Sequence, residues 1–150
     1  MTMKNIKKNI GLLVVVWCVF SCSEMSVSLV QVKNAWVREP PGGHPITGAY
    51  MEIINRSSVV CEIIGVSSEK VGRVEIHSMD HDDGMMRMRK VDSLMLRPEE
   101  EISLQPGGLH LMLMDIADVL NAGDSLPLIL HFSDGTKQFV ESSVRKGPYE

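Results

Sequence analysis

The chain has 150 residues, of which 44% are hydrophobic and 23% are charged, with a formal net charge of −4. This length predicts a single domain, and this balance excludes a disordered chain and a polytopic membrane protein. The negative charge argues against a nucleic-acid-binding protein, which needs a basic face. Methionine stands out, because the chain contains 11 Met but only 3 Phe, 2 Tyr and 2 Trp.

The beginning of the chain has the pattern of a targeting sequence. Three lysines precede an apolar run over residues 10–20, and no acidic residue occurs before Glu24. A basic start followed by about a dozen apolar residues is typical of a signal peptide, and the run is shorter than the ~20 residues of a membrane-spanning helix. We therefore predict a signal peptide over 1–21, a tether over 22–29 and an exported, periplasmic or otherwise extracytoplasmic, domain over 30–146.

The string Val19-Phe20-Ser21-Cys22 resembles a bacterial lipobox, in which the cysteine is lipidated and becomes the new N-terminus. Cys22 is thus a candidate lipidation site that would anchor the protein to the membrane; Phe20 is atypical for this motif. Ordinary cleavage nearby and a retained N-terminal anchor are the alternatives. Loss of 1–21 would lower the net charge from −4 to −7, since three lysines and no acid would go. Cys61 would be the only cysteine left in the domain, which therefore depends on its core rather than on an internal disulfide.

The remainder of the chain is predicted to be all β. Short runs rich in Val, Ile and Leu recur between turn residues such as Pro106-Gly107-Gly108, and this spacing predicts an antiparallel sandwich or barrel. The predicted strands are 30–37, 49–54, 59–66, 73–79, 85–91, 93–96, 102–104, 109–114, 126–132 and 138–144. Residues 115–121 are predicted to form a turn of helix, and Met51 and Met95 are predicted to pack within strands.

Methionine and histidine concentrate in one part of this domain. Seven of the 11 Met and three of the five His lie between His77 and Met114. Because alternate residues of a strand share a face, His77 and Met79 share one face, while His110, Met112 and Met114 share the face opposite to three leucines. A single Met or His at such a position is typical of core packing or of a hydrogen-bonded structural role. The combination favours a soft-metal site, since thioether and imidazole together are the ligand set of Cu(I).

Residues 34–144 resemble the PCuAC family of periplasmic copper chaperones. The matching stretches are Ala35-Trp36-Val37-Arg38, Gly48-Ala49-Tyr50-Met51, Val74-Glu75-Ile76-His77, Gly84-Met85-Met86-Arg87-Met88-Arg89, the run from Pro106 to Met114, and Gly123-Asp124. The metal motif of that family is His, ten residues, Met, twenty-one residues and then His-x-Met. All four positions and both spacers are matched by His77, Met88, His110 and Met112.

The resemblance implies an antiparallel Greek-key, cupredoxin-like sandwich that binds one Cu(I) through these two histidines and two methionines. It also implies delivery of copper to the CuA subunit of cytochrome oxidase, directly or alongside a Sco-type copper protein. The candidate auxiliary ligands, or a hydrophobic collar around the site, are Met79, His81, Met86 and Met114.

We expect a carrier and not an enzyme, since the sequence contains no nucleophile elbow, phosphate loop or paired-carboxylate context. A blue-copper electron carrier would need a thiolate shortly ahead of a His and a Met in one loop, whereas Cys61 lies far upstream of His110. A non-metal structural or adhesion lipoprotein with a Met-rich core is the other alternative. His44 is either an extra Cu(II) ligand or a plain loop histidine, and Cys61 is expected to be buried and inert.

Overall fold

The computed structural model describes residues 30–82 and 85–147, except for the side chains of His81 and Asp82. The predicted signal peptide, the tether and Cys22 lie outside the described residues. The strands are β1 Val30–Arg38, β2 Ile46–Asn55, β3 Cys61–Ser67, β4 Val71–Asp82, β5 Met85–Val91, β6 Leu94–Leu96, β7 Glu101–Leu104, β8 His110–Ile116, β9 Ser125–Phe132 and β10 Lys137–Arg145. Each predicted strand is present, and the all-β prediction is confirmed.

The strands form one hydrogen-bonded sheet that folds over on itself. Their order is β5-β4-β8-β2-β1-β10-β9-β3-β6, and β7 pairs with the second half of β2. The pairings are antiparallel except between β1 and β10, which run parallel. A tight connection with a bridge between Ser68 and Val71 joins β3 to β4. Because β3 and β4 lie near opposite ends of the strand order, this connection brings the two halves of the sheet together as a sandwich.

One apolar core lies between the two halves. Leu111 and Leu113 of β8 come from one half, and Leu126, Leu128 and Leu130 of β9 come from the other. All five have no exposed surface and belong to the same cluster. In β8 and β9 every second residue points into this core, as the period of two requires. The side chains between them point to the outer face of the sheet.

An irregularity in β1 decides which of its side chains face outward. The register against β2 shifts between Lys33 and Trp36, and Asn34 lies in the left-handed region with a φ of 51°. Asparagine adopts this region more readily than most residues. Even-numbered residues of β1 face the core before this bulge and odd-numbered residues face it afterwards. The bulge therefore turns Trp36 and Arg38 to the outer face of the sheet.

Two local predictions are wrong. Residues 115–121 contain no helix, and the only helical segment in the described part of the chain is the short 3-10 helix Pro41–Gly43. Asp115, with a φ of 59°, and Ile116 still belong to β8, and the residues that follow form bends and not a right-handed helix. Met95 does not pack in the core but is 61% exposed, because Leu94 and Leu96 occupy the inward positions of β6. No helix of the described residues has the length and apolar character that crossing a bilayer requires.

Replacement of Leu113 by alanine should lower the free energy of unfolding by about 2–5 kcal/mol, because a fully buried leucine leaves a cavity. Met95→Ala is the matched control and should change it by less than about 0.5 kcal/mol, since that side chain is largely exposed. Urea unfolding followed by circular dichroism measures both. Equal losses in the two variants would contradict the described core.

Candidate metal centre

Antiparallel pairing places the predicted ligands on the outer face of the sheet. His77 of β4 lies directly opposite His110 of β8, and the two rings meet edge to face with centroids 6.0 Å apart. Met79 of β4 lies opposite Met88 of β5. Met112 follows His110 by two residues and shares its face. Two imidazoles and three thioethers thus share one face across three adjacent strands.

A cleft of about 350 Å³ opens on this face. Its lining includes Met79, Met88, His110 and Met112. His77 is not among the lining residues; its side chain is 15% exposed and lies beside the ring of His110. Met88 is 46% exposed and is the most accessible of the four predicted ligands. Three of the four predicted ligands thus line the cleft, and the fourth, His77, lies next to the ring of His110.

Glu75 fixes the orientation and the tautomer of His77. The Nε2–H of His77 donates to Oε2 of Glu75 at 2.9 Å, and Nζ of Lys90 donates to Oε1 of the same carboxylate at 3.3 Å. A carboxylate only accepts, so the neutral imidazole carries its proton on Nε2 and its lone pair on Nδ1. Nδ1 is buried without a hydrogen-bond partner. Such a nitrogen fits the role of a metal ligand.

The hydrogen bond from His77 lowers the pKa of Glu75 below its ordinary value, and Lys90 acts in the same direction against the opposing effect of desolvation. The carboxylate therefore stays ionised at neutral and mildly acidic pH. A depressed pKa contributes stability above the pKa of the unfolded state, and this stability is lost as the pH falls through the folded value. The acceptor that orients His77 is thus present throughout the physiological range.

His110 is held by the backbone. Its Nδ1–H donates to the carbonyl oxygen of Gly108 at 2.9 Å, and the residue is only 6% exposed. Because a carbonyl oxygen only accepts, the lone pair of the neutral ring lies on Nε2. Both imidazoles thus have one nitrogen engaged by the protein and the other available. This arrangement is typical of metal-binding histidines, whose second nitrogen is fixed by a carboxylate or a carbonyl.

A group of three side chains, of which Arg38 and Tyr50 line the cleft, lies beside the predicted ligands. The rings of Trp36 and Tyr50 have centroids 4.5 Å apart, and the guanidinium carbon of Arg38 lies 5.7 Å from the centroid of Tyr50. Burial raises the pKa of Tyr50, and the charge of Arg38 partly opposes that shift. Gly48 leaves room for this ring, because a Cβ at that position would lie 2.5 Å from the Tyr50 hydroxyl oxygen.

The predicted auxiliary ligands separate into three situations. Met79 lines the cleft. Met86 lies on the same face of β5 as Met88, is 55% exposed and pairs through its backbone with His81, whose side chain is outside the described residues. Met114 lies elsewhere, since its sulfur accepts a hydrogen bond from Nη2 of Arg73 at 3.5 Å.

His44 and Cys61 lie away from this face. His44 is exposed after the short helix and lines a different, smaller cleft. Cys61 begins β3 and pairs with Leu96 of β6, at the other end of the strand order. Burial raises the pKa of its thiol, and the negative charge of Asp134 adds to the effect. The thiol therefore remains protonated at neutral pH, although the side chain is half-buried and not buried as expected.

Among the described residues, no three side chains of His, Cys, Asp and Glu group closely enough to hold a metal ion. The two imidazoles of the outer face have thioethers as their neighbours instead. The sequence patterns predict no role for Glu75 or Arg38. Glu75 lies two residues before His77 on the same strand, so strand periodicity could have indicated it. Arg38 gave no such signal, because the bulge in β1 decides its face.

Comparison with known proteins identifies the family. Residues 30–144 match the family described as "Putative lipoprotein LpqE-like". The chain belongs to the LpqE-like family. "Putative lipoprotein Lxx21020" of Leifsonia xyli subsp. xyli is 31% identical to this LpqE-like protein over 117 residues, which are 77% of the chain and 69% of that relative. "Uncharacterized protein RP573" of Rickettsia prowazekii is 33% identical over 102 residues, which are 67% of the chain but only 56% of the relative's length.

Solved PCuAC domains share the fold of this LpqE-like protein. The copper-bound PCuAC domain from PmoF2 superposes with a TM-score of 0.68 at 23% identity, covering 81% of this chain and 97% of that one. The solution structure of CuI-DR1885 from Deinococcus radiodurans gives 0.66 at 24% identity and covers 85% of each chain. The family name differs from the one that the sequence motifs suggested, but the predicted cupredoxin-like sandwich is confirmed.

Gly48→Ala should displace the Tyr50 ring and lower the free energy of unfolding by about 1–3 kcal/mol, because the added Cβ overpacks the cleft wall. Gly65→Ala is the matched control, since Gly65 is also a strand glycine but has no heavy atom within 4 Å of the added carbon. Urea unfolding and the ring resonances of Tyr50 in the NMR spectrum measure the two effects. An unchanged Tyr50 environment in Gly48→Ala would contradict this packing.

Proposed function

We propose that this protein is an extracytoplasmic copper chaperone that binds one Cu(I) through His77, Met88, His110 and Met112. The observation that carries this proposal is the shared outer face, on which two imidazoles, each with one nitrogen fixed and one available, have thioethers as neighbours. This donor set suits Cu(I). Two solved proteins of the same fold, described as copper-bound and as the CuI form, support the choice of metal.

Thioether ligands suit a carrier. They are neutral and keep their ligand form at every physiological pH, and they do not form disulfides in an oxidising compartment. They are also weaker donors for Cu(I) than thiolates. Copper can therefore be held here and still pass by ligand exchange to an acceptor that offers thiolates. Met88 is the ligand that an incoming donor would displace first, because it is the most exposed of the four and lies on the edge strand β5.

The acceptor that this direction of transfer fits is the CuA subunit of cytochrome oxidase, or a Sco-type copper protein that acts with it. Transfer from weaker thioether donors to stronger thiolate donors requires no catalytic group, because no covalent bond of a substrate is made or broken. The protein thus acts as a carrier and not as an enzyme.

The position of Cys61 argues against an electron-transfer role. A blue-copper centre needs a thiolate together with two imidazoles. Cys61 lies on β3, whereas His77 and His110 lie on β4 and β8 in the other half of the sheet. Its raised pKa also keeps the thiol protonated.

His110→Ala combined with Met112→Ala should weaken Cu(I) binding by about a hundredfold or more. Loss of a residue that only hydrogen-bonds to a metal ligand already lowers metal affinity about 10–100-fold. The measurement is competition with a chromogenic Cu(I) chelator under reducing, anaerobic conditions, in which the parent protein should retain one equivalent. Unchanged affinity in the double variant would show that the assigned residues do not bind the metal.

Because His110 is buried and its loss can affect folding, Met88→Leu gives a second test that preserves side-chain volume. Its matched control is Met85→Leu, since Met85 is on the same strand, is 55% exposed and points to the opposite face. Only the Met88 variant should lose affinity. Equal behaviour of the two leucine variants would reject Met88 as a ligand.

We further propose that the chain is exported and that lipidation of Cys22 anchors it to the membrane. The basic and apolar start of the sequence and its lipobox-like string support this location. The description of the family and the name of the Leifsonia relative as lipoproteins support it as well. A membrane anchor would hold the copper site near a membrane-bound acceptor and raise its effective concentration there.

Cys22→Ser should abolish incorporation of labelled fatty acid and move the protein from the membrane fraction to the soluble extracytoplasmic fraction. Cys18→Ser is the matched control, because that cysteine belongs to the same segment but precedes the lipobox. Cell fractionation with metabolic labelling measures both properties. Persistent fatty-acid labelling in Cys22→Ser would place the modification at another residue.

A further inference from the structure

Arg38 brings a positive charge to the cleft that contains the proposed copper ligands. Its side chain lines that cleft together with His110 and Met112. Its Nε atom is buried and has no hydrogen-bond partner. No ion pair joins its guanidinium to a carboxylate of the described residues. A buried N–H of a charged group without an acceptor is costly, so Arg38 has hydrogen-bonding capacity that no carboxylate of the described residues takes up.

The stack of aromatic rings holds the guanidinium but does not satisfy its donors. The face of Tyr50 gives a cation–π contact at 5.7 Å, and Trp36 packs against the same ring. Such a contact supplies no oxygen acceptor to the five N–H donors, which lie in the plane of the guanidinium. Arg38 is therefore fixed in position while its in-plane hydrogen-bonding capacity stays available. The planar fork of donors matches a carboxylate, which accepts two parallel hydrogen bonds.

The cleft is also larger than a copper ion needs. It encloses about 350 Å³, and a water molecule takes about 30 Å³, so roughly ten water-sized groups fit. Pro41, Ile46 and Pro106 give it apolar lining beside the donor groups. A cavity with an apolar lining and a few placed polar groups is typical of a small-molecule site.

We propose that this cleft binds a small organic molecule that carries both a carboxylate and a thiol. The carboxylate pairs with the guanidinium of Arg38, and the thiol sulfur reaches the copper position. The carboxylate half of this proposal stands on Arg38 alone, whereas the thiol half rests on the proposed copper function. Arg38 is part of the cleft wall, so its partner has to enter the cleft, which favours a small molecule over a side chain of a docked protein.

The exchange step that follows involves no change of oxidation state. The thiol loses its proton to solvent, the resulting thiolate forms a bond to Cu(I), and the bond from copper to the Met88 sulfur breaks. Copper would thus be received or released as a ternary complex of protein, metal and thiol carboxylate. Arg38 acts in this step as an anchor for the ligand and does not touch the metal.

The first test uses copper-free protein and two matched probes, 3-mercaptopropionate and 2-mercaptoethanol, which both carry a thiol but differ in the carboxylate. The Nε–H resonance of Arg38 in the 15N NMR spectrum should shift with the first probe and not with the second. This measurement uses the unaltered chain, so it does not depend on the folding of a variant. Equal responses to the two probes, or no response of Arg38, would overturn the carboxylate site.

Variants then locate the charge that binds the probe. Arg38→Gln should weaken binding of 3-mercaptopropionate by about tenfold or more, as loss of a charge-assisted hydrogen bond predicts. Arg38→Lys should give an intermediate loss, since lysine keeps the charge but not the fork. Arg56→Gln is the control, because Arg56 is exposed and already pairs with Glu99. Calorimetric titration measures all three, and an equal loss in Arg56→Gln would reduce the effect to general electrostatics and overturn the site.

The second test uses the Cu(I)-loaded protein. The copper should strengthen binding of 3-mercaptopropionate but not of propionate, which lacks the thiol. No difference between these probes would overturn the ternary complex while leaving the copper chaperone intact. Conversely, a protein that fails to retain Cu(I) against the chelator would reject the proposed function, yet its copper-free form would still bind the carboxylate at Arg38.

Discussion

The register of β4 against β8 is the constraint on which the whole site depends. The pair Ile76 and Leu111 lies next to the pair His77 and His110 in the same ladder, and its two side chains are 3% and 0% exposed. A slip of one residue would turn the imidazoles toward the core and the apolar pair toward solvent. The free energy of burying Ile76 and Leu111 therefore fixes the facing of His77 and His110. Core packing on one side of the sheet thus determines the geometry of the ligands on the other side.

Strand periodicity and motif spacing predicted much of this arrangement. The positions of the strands followed from apolar runs and turn residues, and the outward facing of Met112 followed from the buried leucines beside it. These features are local, because each depends on only a few neighbouring residues. The spacing of His77 from His110 indicated a site, but only the pairing of two distant strands brings the rings together.

The features that sequence could not give depend on tertiary context. The bulge at Asn34 reverses the alternation of β1, so counting alternate residues along the strand could not predict the outward position of Arg38. The hydrogen bond from Arg73 to Met114 takes that sulfur away from the cleft, and it forms only because β4 lies beside β8. Met95 was predicted to pack within its strand, whereas that strand has only three residues and buries the other two.

The proposed ligands are shared between strands of unequal local stability. β4 and β8 are anchored by core side chains, but β5 pairs only with β4 among the described strands and contributes a single half-buried side chain, Val91. Segments with little buried surface open at much lower free energy than the global unfolding transition. Separation of β5 from β4 would carry Met88 away while the two histidines keep their positions. The sandwich thus combines two firmly held histidines with an edge strand that can detach. The rate at which that strand opens sets an upper limit on how fast an ion bound at the proposed site could exchange by this route.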